Sequence, residues 1–429
     1  MEISALYEYF LECQGVTTDS RNCPAGSLFI ALKGASFDGN RFASQALEQG
    51  CRYAVVDEPE YAGTDSRILL VDDCLETLQQ LAGYHRRKLG TRIIGITGTN
   101  GKTTTKELVA TVLQQKYNLL YTQGNLNNHI GVPLTLLRLT PEHEMAVVEM
   151  GASHPGEIKT LVNIADPDYG IITNVGKAHL EGFGSFEGVI RTKGELYDYL
   201  RGKQGSAIFL HNENPYLNGI AQGLTCVRYG QTPGLFVSGC LTGCSPFLAF
   251  EWATGDKTYT VQTHLIGSYN LDNALAAAAI GTYFGVSADQ VCQALAGYVP
   301  HNNRSQLVDT GHNRLIVDAY NANPTSMMAA LQNFRQLEAP HKMVILGDMK
   351  ELGPGSVEEH RKIVGFLDEC GFDRVMLVGS EFAAATSGYE HFTDVDAVIA
   401  SLKSHQPEGY FILVKGSNSM KLSRLPEFL

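Results

Sequence analysis

The residue types best suited to chemistry stand together in one run, Gly98-Thr99-Asn100-Gly101-Lys102-Thr103-Thr104-Thr105. A short β-branched stretch, Arg92 to Thr97, precedes it. A helical pattern follows, in which Leu108, Val109, Val112 and Leu113 recur at helix spacing. Strand, small-residue loop and helix together aim backbone N–H groups at a phosphate. Gly98 and Gly101 let the backbone come close to the phosphate oxygens. Lys102 supplies a point charge at the β- and γ-phosphates and Thr103 a hydroxyl for Mg²⁺, with Thr99, Asn100 and Thr104 in the same cradle. The strict phosphate-loop pattern wants a glycine where this chain has Ile96. A turn before an N-capped helix can also carry Gly-Lys-Thr. Gly98, Asn100 and the three threonines favour nucleotide binding over that plainer reading.

Two further candidates end apolar runs. Met145 to Val148 reads as a buried strand that stops at Glu149, and Gly170 to Thr173 leads through Asn174 to His179. In open parallel sheets ligands sit beyond the carboxyl ends of the strands, so both residues fall on the edge that carries the phosphate loop. Glu149 can hold the Mg²⁺ of a nucleotide, directly or through water. Read alone it is a solvated strand end. His179 alone reads as a structural histidine, and beside a carboxylate it is compatible with Mg²⁺. Asn270 and Asn273 lie on the first turn of an alanine-rich helix. They either cap it or, in the case of Asn273, read a purine edge, since an amide gives and takes a hydrogen bond at once.

These residues need elements to hold them, and the pattern is βα throughout. An α/β fold of three domains is expected: 1–88, 89–302 and 303–429. The first is a small α/β unit with strands near 27–32, 53–56 and 68–71, and a helix from Leu75 to about Lys88 whose basic end suits a helix C-terminus. The second is a P-loop-type, mostly parallel sheet with helices on both faces, and the stretch 225–265 reads as an insertion or edge meander. The third is Rossmann-like, with strands at 315–317, 343–346, 375–378 and 411–414 and polar ends at Asp318, Gly347 and Lys415. In the first unit Thr17 to Arg21 and Lys33 to Asn40 are either turns or a pocket for a phosphorylated ligand.

Composition sets the class. The 429 residues carry a net charge of −12 and are 44% hydrophobic, with a mean hydropathy of −0.08 and a pI near 5.5. That acidity argues against nucleic acid and against anionic membrane as partners. No apolar run is long enough to span a bilayer, and the first residues lack the basic and apolar regions of a signal peptide. Nine scattered cysteines include no Cys-x-x-Cys pair. Free thiols in a reducing cytoplasm are the expectation.

The chain resembles the Mur ligases. The match rests on Gly98 to Thr105, Glu149-Met150-Gly151-Ala152, Ala178 to Gly182, the Asn270/Asn273 pair and Asp318 to Pro324, in that order, and it covers the whole chain. Within the family, Asn125 to Pro133, Tyr320 to Pro324 and Gly347 to Gly353 are similar to the branch that joins D-alanyl-D-alanine to UDP-MurNAc-tripeptide. An Asp-Asn-Pro-Arg stretch, usual in the branch that adds the third amino acid, is missing.

The resemblance implies ATP and Mg²⁺ as cofactors and an acyl-phosphate route to a peptide bond. It implies that Thr18, Asp19, Ser20, Arg21, Lys33 and Asn40 face the UDP-sugar. Asn127, Asn128, Tyr320, Asn321 and Asn323 are assigned to substrate, with Asn270 and Asn273 near the adenine, Asp318 on the ribose and Arg304 on the phosphates. Thr103, Glu149, His179 and a carbamylated Lys193 would hold metal, where the plain alternative makes Lys193 an exposed helical lysine. Two positions depart from the family: Asn303 precedes Arg304 where many members have glycine, and Asn418 stands where many have arginine. A monomer is expected. The rival readings are a sister ligase and a P-loop ATPase without ligase activity.

Overall fold

The computed structural model describes residues 1–301, 304–385 and 388–429. The expected division at 302/303, and with it Asn303, lies outside the described residues. Three main sheets run along the chain. The first is four-stranded and parallel, in the order Val16–Thr17, Leu28–Ile30, Tyr53–Val56, Ile68–Leu70. Its second and third strands are almost wholly buried, as continuous apolar runs in a covered parallel sheet must be. The stretch after Lys33 forms a small antiparallel hairpin, Lys33–Gly34 with Phe37–Asp38.

Helix Cys74–Leu89 closes this unit. Asp73 caps it by accepting from the Glu76 N–H, worth about 1 kcal/mol, and Gly90 ends it in the left-handed region at φ 68°. Of its basic last turn, Arg86 goes inward. It pairs with Asp168 at 2.8 Å and donates to the carbonyls of Ala165 and Asp166. The helix end is thereby stapled to the neighbouring sheet, a role that periodicity alone does not reveal.

The central sheet has nine strands. Arg92–Thr97 lies between Met145–Glu149 and Tyr169–Ile172, all parallel. Leu119–Tyr121 forms one edge. Beyond Tyr169–Ile172 come Ala207–His211, Cys226–Gly230 and the antiparallel meander Val237–Cys244, Phe247–Thr254, Lys257–Ile266. The stretch 225–265 thus extends the sheet. Register sets Ile96 opposite Glu149 and Thr97 opposite Ile172, so the carboxyl ends of the three strands reach the same level.

Alternate residues of these strands serve two cores. Ile93, Val148 and Ile172 pack with the first unit, while Ile94, Ile96, Val147 and Ile171 pack under helices Lys102–Leu113 and Asn270–Tyr283. Those helices approach closely: a Cβ on Gly281 would stand 2.3 Å from Val112 Cγ1. The buried run Ala276–Ala279 belongs to the same core. The C-terminal sheet has six strands in the order Gln306–Asp309, Arg314–Asp318, Phe411–Lys415, Lys342–Gly347, Arg374–Val378, Glu390–Phe392, with only the first antiparallel. Asp318 stands directly opposite Lys415.

Candidate active site

A cavity of about 980 Å³ opens where the carboxyl ends of the central sheet face the C-terminal unit. Its wall includes Thr99 to Thr104, Asn127, Asn128, Glu149, His179, Asn270, Asn273, Arg304, Asp318, Tyr320, Asn321 and Asn323. The structure therefore brings together most of the residues singled out above, from positions more than 200 apart in sequence.

The phosphate loop is held by its neighbours. Gly98 has φ +144°, and a Cβ there would meet Thr173 Oγ1 at 2.0 Å; a Cβ on Gly101 would meet Asn273 Oδ1 at 2.6 Å. Only glycine fits at either position. Lys102 folds back over the loop, and its Nζ donates to the carbonyls of Gly98 and Thr99 at 2.8 and 2.9 Å. Burial pushes this amine down to about 8, Glu149 raises it, and Arg304 lowers it further. A half-buried lysine with no carboxylate bonded to it is poised to gain from an arriving phosphate.

Beside it, Glu149 is 1% exposed. Its Oε1 accepts from the Thr103 hydroxyl at 3.1 Å and from Asn127 Nδ2 at 2.8 Å. Its Oε2 is buried with no hydrogen-bond partner among the described residues. An orphaned buried carboxylate oxygen beside a threonine hydroxyl fits a hard, oxygen-seeking cation. No group of three or more His, Cys, Asp or Glu side chains is arranged to hold a metal among the described residues, so any ion here would draw ligands from elsewhere as well.

Lys193 lies on helix Phe186–Arg201. The plain reading of an exposed helical lysine fails, since the residue is 2% exposed. Its Nζ donates to the Ala152 carbonyl at 3.1 Å and lies 5.2 Å from the centre of the Phe183 ring. Burial first, and then repulsion from Lys102, bring the amine down to about 7, against smaller upward pulls from Glu157 and Glu195. His179 sits in the left-handed region at φ 51°. Its Nδ1 contacts the carboxylate of Glu351, which comes from the C-terminal unit and is itself left-handed at φ 64°. Burial keeps this histidine below its ordinary range, although Glu351 pulls upward.

At the other end of the cavity the asparagine pair serves the loop. Asn273 Oδ1 accepts from Thr105 at 3.0 Å and its Nδ2 donates to Asn270 Oδ1 at 2.9 Å, while Asn270 Nδ2 donates to the Ile266 carbonyl. On the opposite wall Asp318 accepts from Lys415 Nζ at 2.5 Å and from the Ser305 N–H at 3.3 Å. The guanidinium of Arg304 stands 3.9 Å over the Tyr320 ring.

The first unit's loops are not part of this wall. Arg21 pairs with Asp19 on the surface and Lys33 with Asp57 and Glu58. Buried Asn40 is engaged by Asp38 and Asp57, and the Thr17 hydroxyl accepts from the Asp19 N–H. Ser20 is buried and Thr18 half-buried.

The UDP-N-acetylmuramoyl-tripeptide–D-alanyl-D-alanine ligase of Bacillus subtilis is 37% identical over 424 residues, covering 96% of this chain and 92% of its own. The chain belongs to the Mur ligase family. Models of the Mur ligase catalytic, middle and glutamate ligase domains match residues 12–86, 96–281 and 303–418. A crystal structure of MurF from Acinetobacter baumannii superposes with a TM-score of 0.87 at 31% identity, covering 99% of this chain and 98% of the other. A MurF ligase from Thermotoga maritima, crystallised with ADP, gives 0.86 at 27% identity, with 98% and 97% covered.

Sequence reasoning about this Mur ligase missed several residues of the site. Thr173 and Asn174 hold the loop backbone: the Thr173 hydroxyl donates to the Asn100 carbonyl, and Asn174 Oδ1 accepts from the Asn100 N–H. The strand end before His179 was the available signal. Lys415 and Glu351 stood in polar strand ends already noted, but only register and docking show which of those side chains face the cavity. Asp348, from the same run as Glu351, turns away to accept from the N–H groups of Glu381 and Phe382. His211 and Asp272 line the cavity near Asn273 and carried no signal in the sequence.

Proposed function

We infer that this ligase joins D-alanyl-D-alanine to UDP-MurNAc-tripeptide at the expense of ATP. The observation that carries the reading is the cavity that sets Lys102 and Glu149 opposite Arg304 and Asp318, with Lys193 buried just behind the wall at Ala152. Relatives matched over nearly the whole chain bear the same activity in their names.

The peptide's terminal carboxylate attacks the γ-phosphoryl group of ATP, and ADP leaves. The carboxylate has no good leaving group; the acyl phosphate supplies one. The amine of the dipeptide then attacks the acyl carbon, the new C–N bond forms as the nitrogen gives up one proton, and inorganic phosphate departs with the electron pair of the C–O bond and takes up a proton. Catalysis of such a transfer rests on position and charge. Lys102 would leave the loop carbonyls for the phosphates, and Arg304 would face them from the opposite wall. Asp318 suits a ribose hydroxyl, and the Asn270/Asn273 pair holds Gly101 where a phosphate approaches.

Glu149, Thr103, His179 and Lys193 form the set that would hold Mg²⁺, which supplies charge neutralisation on the phosphates. Lys193 suits this only after modification. An amine that titrates near neutrality has a free electron pair, can add to carbon dioxide with loss of one proton, and becomes a carbamate that presents oxygens. On this reading Asn127, Asn128, Tyr320, Asn321 and Asn323 are assigned to the peptide substrates, and Thr18 to Arg21, Lys33 and Asn40, outside the cavity wall, to the UDP end. No helix among the described residues is long and apolar enough to cross a membrane. Use of ATP and a UDP-linked precursor fits the cytoplasm.

The test is phosphate release from ATP with UDP-MurNAc-tripeptide, offering D-alanyl-D-alanine and single amino acids in turn. Release only with the dipeptide, with a product heavier by its residue mass, supports the reading. Release with a single amino acid on a dipeptide precursor assigns the third-residue reaction, and release regardless of acceptor assigns an ATPase.

A further inference from the structure

We propose that the side-chain amides of Asn100 and Asn323 form a latch that couples filling of the phosphate loop to docking of the C-terminal unit over the cavity. Asn323 Nδ2 donates to Asn100 Oδ1 at 2.7 Å. The direction of this bond is set from both sides. Asn323 caps helix Pro324–Gln336: its Oδ1 accepts from the Ser326 N–H at 2.9 Å, and the Ser326 hydroxyl accepts from the Asn323 N–H at 3.1 Å. The helix cap orients the amide, so its nitrogen makes the short bond to the loop, while its oxygen also accepts from Asn100 Nδ2 at a longer 3.5 Å.

On the other side the backbone of Asn100 is tied down. Its N–H donates to Asn174 Oδ1 at 2.9 Å, and its carbonyl accepts from Thr173 Oγ1 at 2.6 Å and Asn174 Nδ2 at 3.0 Å. Asn100 belongs to the backbone that must wrap a phosphate. Its one free side chain reaches the first turn of a helix in the other unit. Nearby the two units approach so closely that a Cβ on Gly176 would stand 3.3 Å from Thr325 Oγ1.

The inference rests on the nucleotide reading above and adds a positioning role for Asn323. A ligand that settles the loop holds Asn100 where it accepts from Asn323, and by linkage the docked unit favours that ligand by the same factor. One neutral hydrogen bond corresponds to about fivefold in affinity.

Two substitutions separate latch from cap. Asn323→Ser still caps the helix but is too short to reach Asn100. Asn323→Asp also caps it, but removes the donated bond and leaves only acceptors toward Asn100. With the full-length protein, ADP affinity is measured by titration calorimetry and thermal unfolding on the same samples. The expected result is ADP binding weakened about fivefold in Asn323→Ser and weakened as well in Asn323→Asp, with unfolding temperatures near wild type. Adding Asn323→Ser to Asn100→Ala is expected to cost nothing further, since the bond is already lost. Wild-type affinity in both position-323 variants overturns the latch and leaves the nucleotide reading intact. Fully additive effects in the double variant also overturn it. A wild-type protein that does not bind ADP overturns both.

Discussion

Three lysines stand in or against the cavity wall, Lys193 and Lys415 buried and Lys102 partly so, and the two units that supply them treat the charge differently. In the central unit Lys102 is met by two backbone carbonyls and Lys193 by one carbonyl and a ring face. Neither has a carboxylate within ion-pair distance among the described residues, and burial draws them down to about 8 and about 7. In the C-terminal unit Lys415 is bonded directly to Asp318, its neighbour across the strand pair. A paired buried cation positions its partner. An unpaired one holds binding energy in reserve, released when a ligand brings negative charge or when the amine reacts.

Breaking the central pair of cations gives the largest effect. Lys102→Ala is expected to lower phosphate release by about 10²–10³-fold, the usual loss for one preorganised charge donor, with circular dichroism unchanged. Lys193→Ala is expected to lose turnover as well and to regain part of it with added short carboxylates. Near-normal turnover in Lys102→Ala, or full activity of Lys193→Ala without rescue, would show that the unpaired lysines hold no such reserve.

Stability separates the two kinds of lysine by sign. Lys415→Met leaves the Asp318 carboxylate without its partner and is expected to cost about 3 kcal/mol in denaturant unfolding. Lys193→Met removes a charge that folding must desolvate, and is expected to raise stability at pH 6. Losses in both variants would mean that Lys193 is as well compensated as Lys415.

The smallest and most diagnostic effect is in pH. The folded-state value of Lys193 lies near 7, below the 10.5 of an unperturbed lysine. Between those values the unfolded chain binds more protons than the native one, so the wild type gains stability as pH rises. Below about 7 both states are protonated and the penalty is complete. In carbon dioxide-free buffer, the advantage of Lys193→Met over wild type is therefore expected to shrink from pH 7 upward. A difference independent of pH would show that the amine is not displaced.

Much of the arrangement was legible in the chain. The strands at 53–56, 145–149 and 343–346 are apolar runs with clear ends, and the phosphate loop announces itself by residue type. Helix Ile3–Leu11 and the edge strands Gln306–Asp309 and Glu390–Phe392 were not legible, because short elements are stabilised by what they pack against. The site divided in the same way. Lys102 and Glu149 follow from the strand-end rule. Glu351 and the bond between Asn100 and Asn323 do not, because no spacing links residues on separate units.

The sequence by itself determined the local chemistry: a glycine loop that only glycine can form, a lysine and threonine at its helix start, a carboxylate at the next strand's end, and a family resemblance along the whole chain. Tertiary structure decided which charges are buried, which are paired, and which strand ends meet. Those outcomes depend on sheet register and on how one unit docks on another. Both are summed over many weak contacts between residues far apart in the chain, and no single stretch encodes them.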